Sequence, residues 1–154
     1  PKYHQLPKTN KMNTEIIITA LSKIGLHESP GTADNLEILQ LAQEAGFGAT
    51  YTHDDISWCS MFMNWVAKKC KMQASGALNA RSWLLIGTMT KVPEMGDVAI
   101  LWRDSPSSWQ GHVGIFIRED ATNYYLLGGN QGDAVSIMPF PKNRLLGFRR
   151  LNKI

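Results

Sequence analysis

Cysteine is scarce in this chain of 154 residues, where only Cys59 and Cys70 occur. On what reads as a single helix they would lie about 16 Å apart along its axis, too far for a disulfide. No disulfide framework supports the fold, and at least one thiol is left for chemistry or packing. Long apolar runs are missing too: none approaches the roughly 20 residues that a membrane-spanning helix requires, so no membrane insertion is expected. The sequence offers no close Cys or His pairs at metal-ligand spacing, which argues against a zinc site. We expect no metal and no cofactor. Nor is charge of one sign concentrated, since 16 Lys and Arg stand against 13 Asp and Glu and are spread along the chain. Nucleic acid is a poor partner for such a surface, because phosphate binding needs clustered cations. Internal repeats and low-complexity tracts are likewise lacking.

What remains is the composition of one folded domain. The chain is 44% hydrophobic and 19% charged, with five Trp and seven Met, enough apolar material for a core and too little charge for disorder. Residues 1–12, with Pro1 and Pro7 and no periodicity, read as an N-terminal arm preceding a single domain over 13–154. Ile16, Ile17, Ala20, Leu21 and Ile24 then recur at helical spacing, with Asn13 or Thr14 as cap and Gly25 as terminator. A second helix is expected from about Leu36 to Ala45, and a third over 57–70, where Cys59, Met63, Val66 and Cys70 share one face. A short helix is read at 80–85. After Pro93 the pattern changes to β-branched and aromatic runs broken by turns. Strands are expected at 98–102, 112–117, 124–127, 134–138 and 146–150. Their short connections imply an antiparallel sheet. The fold class is therefore α+β: N-terminal helices packed on a five-stranded antiparallel sheet.

Chemistry concentrates at Cys59 and His112. A helix N-terminus and a neighbouring imidazolium are the two common means of lowering a thiol pKa, and Cys59 sits in the first turn of its helix. His112 opens a strand between Gly111 and Gly114, where small neighbours allow a backbone or a substrate to approach closely. A third group must hold the imidazole in its tautomer, and an amide can do so. Asn130, at the end of the following strand, is the choice, with Gln131 and Asp133 as near competitors. His4, His27 and His53 lack such settings, and Cys70 reads as core. Trp58, Trp109, Gln110 and Gln131 are the candidates for substrate or oxyanion contacts, with the backbone N–H of Cys59 as one oxyanion donor and Gln110 or a side chain of residues 53–55 as the second. Trp109 reads as a groove residue, Glu28 as a turn residue that either approaches the site or stays solvated, and Asp97, Arg149 and Arg150 as structural or surface groups.

Four segments in this order, Trp58-Cys59-Ser60-Met61-Phe62 at a helix start, Glu94-Met95-Gly96-Asp97-Val98 entering a strand, Gly111-His112-Val113-Gly114, and Gly128-Gly129-Asn130-Gln131, resemble the CHAP and NlpC-type peptidoglycan hydrolases. The resemblance covers residues 28–150, with Trp58 standing where many relatives carry Asp. It implies a papain-like core, Cys59 as nucleophile, His112 as base and Asn130 as the polar orienting residue, acting on a peptide or amide bond of the cell-wall peptide. The protein would then be a lysin, a remodelling enzyme or a secreted antibacterial effector. Its partners would be peptidoglycan and, for a toxin, an inhibitor (immunity) protein. The mild positive charge would suit an anionic wall. Action at the cell wall or periplasm is expected, with delivery by lysis or a secretion system, or a leader already removed ahead of Pro1. The alternatives are a non-catalytic wall-binding module on the same fold and a thiol amidohydrolase acting on protein amides.

Overall fold

The computed structural model describes residues 10–31, 33–53 and 57–154. Helix α1 spans Lys11–Leu21, and its N-cap is Asn10, whose side chain accepts from the N–H of Asn13. Asn13 itself is fully buried inside the helix and is not its cap. The last two residues that the sequence assigns to the arm are thus helical, and residues 1–9 of that arm lie outside the described residues. Helix α2, Leu36–Glu44, is capped by Asn35 and turns Ile38, Leu41 and Ala42 inward. Helix α3, Cys59–Lys69, is buried along almost its whole length, because α1 and α2 pack on one side of it and the sheet on the other. A short 3-10 helix, Ala80–Leu85, follows.

The sheet has six strands, not five: β1 (Thr88–Thr90), β2 (Val98–Trp102), β3 (Gly111–Glu119), β4 (Asn123–Gly128), β5 (Ser136–Pro141) and β6 (Leu145–Arg150). They lie in the order β1-β6-β2-β3-β4-β5, all neighbours antiparallel. The sixth is β1, which pairs with β6. Three residues of Thr-Met-Thr are too short to display an alternation, so nothing in the sequence separates them from loop. Strand β5 also sits further along the chain than 134–138, and it contains Pro139 and Pro141. Proline is tolerated there because β5 is an edge strand, with one side free of ladder partners.

Both faces of the sheet are apolar. Val98, Ile100, Val113 and Ile115 point at the helices and join the main core, while Ala99, Leu101, Phe116, Leu126 and Phe148 form a second cluster on the opposite face. In that cluster Tyr124 of β4 and Phe148 of β6 have ring centroids 5.2 Å apart. Three strand-to-strand steps separate β4 from β6, about 14 Å in a flat sheet. The sheet must therefore curl on itself, and the register shifts at Ile100/Leu101 and Phe116/Arg118 are where such bending is accommodated. This curl brings Phe140 of β5 over the start of β3, where its ring stacks on His112 at 4.8 Å.

A buried polar cluster ties the first helix to the sheet. Asp97, fully buried, accepts from Asn13 Nδ2 at 2.9 Å, from the N–H of Glu94 at 2.7 Å, and from both Nε and Nη2 of Arg150 at 3.0 and 2.8 Å. A forked guanidinium on a carboxylate is the strongest common form of ion pair. Asp97 and Arg150 are thus structural. Gly96, at φ +96°, lies so close to α1 that a Cβ would sit 2.5 Å from Asn13 Cβ, which is why the Gly-Asp pair enters β2 here.

Candidate active site

The N-terminus of α3 is aimed at the start of β3. Behind α3, Ser60 Oγ donates to Ala77 O at 2.6 Å and accepts from the Trp83 indole at 3.0 Å, while Asn64 Oδ1 accepts from the N–H of Gly76 at 2.8 Å. These bonds fix the first turns of the helix against the loop that follows it. In front, Trp58 is fully buried, edge-on to Phe62, and its indole donates to Glu28 Oε1 at 2.8 Å. Gly129 makes room for it, since a Cβ there would come within 2.8 Å of the Trp58 ring. Trp58 is accordingly a packing residue and not a groove or oxyanion residue, and Glu28, read from sequence as either approaching the site or staying solvated, is the anchor of its indole.

Cys59 is 4% exposed and His112 7% exposed, and the two side chains interact, each changing the other's proton affinity. Burial pushes the Cys59 thiol up, but the hydrogen bond and charge of His112, with the backbone N–H groups of Val113 and Ser60, pull it further down, so the thiol lies below its ordinary range. For His112, burial and the positive charge of Arg103 lower its proton affinity. The contact with Cys59 and the hydrogen bond to Gln131 outweigh them, and the imidazole titrates above its usual value. Both shifts favour a thiolate beside an imidazolium.

The group that holds the imidazole is Gln131, not Asn130. Gln131 Oε1 lies 2.9 Å from His112 Nε2. The amide cannot be turned round: its Nε2 donates to Leu126 O at 3.0 Å and to Ser136 O at 2.8 Å, and carbonyls only accept. The oxygen therefore faces the ring, His112 Nε2 carries a hydrogen, and Nδ1 is left for the sulfur. Space for this amide comes from Gly114 and Gly128, where added Cβ atoms would lie 3.3 and 2.6 Å from Gln131 Oε1. Asn130 stands one residue earlier at φ +57°, and its side chain donates to Ser57 Oγ at 3.3 Å. Asp133 is exposed at φ +58°.

The other candidates are dispersed. Trp109 is 75% exposed on the β2–β3 loop and does not line the cavity beside His112. Gln110 contributes its backbone: its carbonyl accepts from Arg81 Nε at 2.8 Å, and Arg81 also donates to Pro106 O and Ser105 O, a clasp that pins the loop. His53 is exposed, 3.3 Å from Asp34, and Asp54 and Asp55 lie outside the described residues. Cys70 is buried at the other end of α3, its sulfur 3.3 Å from Thr19 Oγ1. Among the described residues no cluster of His, Cys, Asp and Glu could hold a metal ion, and no helix is long and apolar enough to cross a membrane. Phe140, which covers one face of the His112 ring, went unrecognised in the sequence; it lies between two prolines and far along the chain, with no local pattern to mark it.

Cys59, His112 and Gln131 thus come together from the start of α3, the start of β3, and the turn that follows β4. No family model and no curated protein matches the chain. Among solved structures, a protein described as similar to lipoprotein, of the NLP/P60 family, from Staphylococcus aureus subsp. aureus Mu50, superposes with a TM-score of 0.55 at 16% identity. The match covers 97% of this chain and 44% of the staphylococcal one, so this chain spans less than half of that protein's length. The fold is therefore NlpC/P60-like, α+β with an antiparallel sheet.

Proposed function

We propose that this protein is a cysteine hydrolase that cleaves a peptide or amide bond in the peptide part of bacterial cell-wall peptidoglycan. The observation that carries the reading is the buried pair of Cys59 and His112, with the ring's tautomer dictated by a Gln131 amide that has one orientation open to it. A structural cysteine needs none of this. The likeness in fold to an NLP/P60 protein supports the choice of substrate.

In the reaction the Cys59 thiolate adds to the carbonyl carbon, and the tetrahedral oxyanion is met by the backbone N–H of Cys59 at the positive end of α3. Collapse breaks the C–N bond as the Nδ1 proton of His112 passes to the leaving amine, which departs and leaves a thioester on Cys59. Water then attacks the thioester carbonyl while His112 Nδ1 takes its proton. Breaking of the C–S bond releases the carboxylic acid and restores the thiolate. Gln131 accepts from Nε2–H throughout, so the ring moves protons at one nitrogen only. Such an enzyme acts at the cell wall, with peptidoglycan as its partner and, if it is an antibacterial effector, an inhibitor protein seated over Cys59.

Mass spectrometry of purified muropeptides incubated with wild-type and Cys59→Ala protein tests the proposal. New amine and carboxylate ends should form with the wild type alone. Intact muropeptides after incubation with the wild type, or equal cleavage by the variant, would remove it.

A further inference from the structure

Beside His112 lies a cavity of about 300 Å³, at the lower end of the range for small-molecule sites. His112, Asn130 and Gln131 contribute to its lining, whereas Cys59 does not. That asymmetry has a chemical meaning. The cavity lies on the His112 side of the pair, and in the proposed reaction the acyl half of a substrate stays on the sulfur while the amine half leaves with a proton from His112. Its chemistry is equally specific. Arg103 and Arg144 both line it and are exposed, and among the described residues neither forms an ion pair with a carboxylate. Arg144 is held with its guanidinium 5.4 Å from the centroid of the Trp102 ring, another lining residue. Asp133 is the single acidic residue in the lining, so the two guanidiniums leave an excess of positive charge.

Resting on the hydrolase reading above, we propose that this cavity is the leaving-group subsite and that Arg103 and Arg144 select a departing amino acid that carries a free carboxylate. Guanidinium forks match a carboxylate in shape and charge. A residue whose carboxylate is amidated, or continued into a further peptide bond, offers them no anion. The enzyme would on this account favour the last link before a free chain end over links within a longer peptide.

Two measurements test this. The first compares kcat/KM for a pair of muropeptides that differ only in whether the leaving residue ends in a carboxylate or a carboxamide. Wild type should favour the acid by about ten- to a hundredfold, the worth of a charge-assisted hydrogen bond. In Arg103→Gln/Arg144→Gln protein the ratio should fall to about one, mainly through KM, and Arg144→Lys should restore part of it. The second uses Cys59→Ala protein, titrated by NMR with the dipeptide Ala-Ala and with its C-terminal amide. The acid should bind about tenfold tighter and should shift the resonances of Phe140 and His112, with the preference lost in the double arginine variant. Equal affinities, or no shift with either dipeptide, would overturn the subsite, as would Cys59-dependent cleavage of both muropeptides at equal rates. Discriminating binding without any muropeptide cleavage by the wild type would instead overturn the hydrolase reading and leave the subsite standing.

Discussion

Helix α3 carries a cysteine at each end, and the two ends behave as different molecules. Cys59 and Cys70 are alike in burial, 4% and 5% exposed. Yet Cys59 opens the helix, where the backbone N–H groups of Ser60 and Val113 and the His112 ring gather around its sulfur. Cys70 closes it, where Lys68 and Lys69 lie in the last turn and the nearest polar neighbour is the Thr19 hydroxyl. The helix dipole favours an anion at the first position and disfavours one at the second. Burial alone therefore says nothing about reactivity; what distinguishes a thiol is which end of a helix it occupies and what faces it from another element.

The comparison breaks most visibly by deletion. Cys59→Ala should lower hydrolysis by more than about 10⁴-fold, as loss of a catalytic nucleophile does, and Cys70→Ala should leave turnover close to wild type while costing about 1–2 kcal/mol of stability as a core truncation. Rates on one muropeptide and a urea melt of each variant check both halves. Gln131→Leu comes next. Removing the amide frees the ring to rotate and leaves two buried carbonyls, Leu126 O and Ser136 O, without their donor. We expect kcat to fall about a hundredfold and stability by about 1–3 kcal/mol. Because Gln131 helps to raise the proton affinity of His112, the alkaline limb of kcat against pH should also move to lower pH. An unmoved limb would show that Gln131 acts only as a structural group.

The pH dependence of the wild type sharpens the same point. The Cys59 thiol lies below its ordinary range, so the thiolate persists as pH falls until that lowered value is passed. The His112 imidazole lies above its ordinary value, so the imidazolium persists as pH rises until that raised value is passed. Hydrolysis needs both charges and should be bell-shaped between them. Alkylation of the sulfur needs only the thiolate and should fall on the acid side alone. A matching alkaline fall in alkylation would contradict the assignment. Smallest is Trp58→Phe, which removes the hydrogen bond to Glu28 but keeps the ring; a loss of about 1 kcal/mol in a urea melt is expected, and a large change in kcat would mean that Trp58 does more than pack.

Much of this was legible in the sequence because it is local. The period of Ile16 to Ile24, the one-sided stripe of α3 and the glycines around His112 each report on their own element. What was hidden depends on three-dimensional return. Asn130 and Gln131 are adjacent, similar in chemistry and both at a turn, and only the course of the chain from 128 to 132 decides which amide meets the ring. Trp58 looked available as a groove residue because nothing in its neighbourhood announces Glu28, 30 residues upstream, as its partner. Strand β1 was missed because its three residues acquire strand character from β6, not from themselves. The Asp97 cluster joins residues 13, 97 and 150, a connection that no window of sequence contains.

The most direct test follows alkylation of Cys59 by iodoacetamide, resolved by peptide mass spectrometry across pH, in wild-type and His112→Ala protein. The account predicts that Cys59 reacts well below the pH at which an ordinary thiol ionises and that His112→Ala moves the Cys59 profile upward. A Cys59 profile that rises only where an ordinary thiol ionises, or one indifferent to His112, would contradict it.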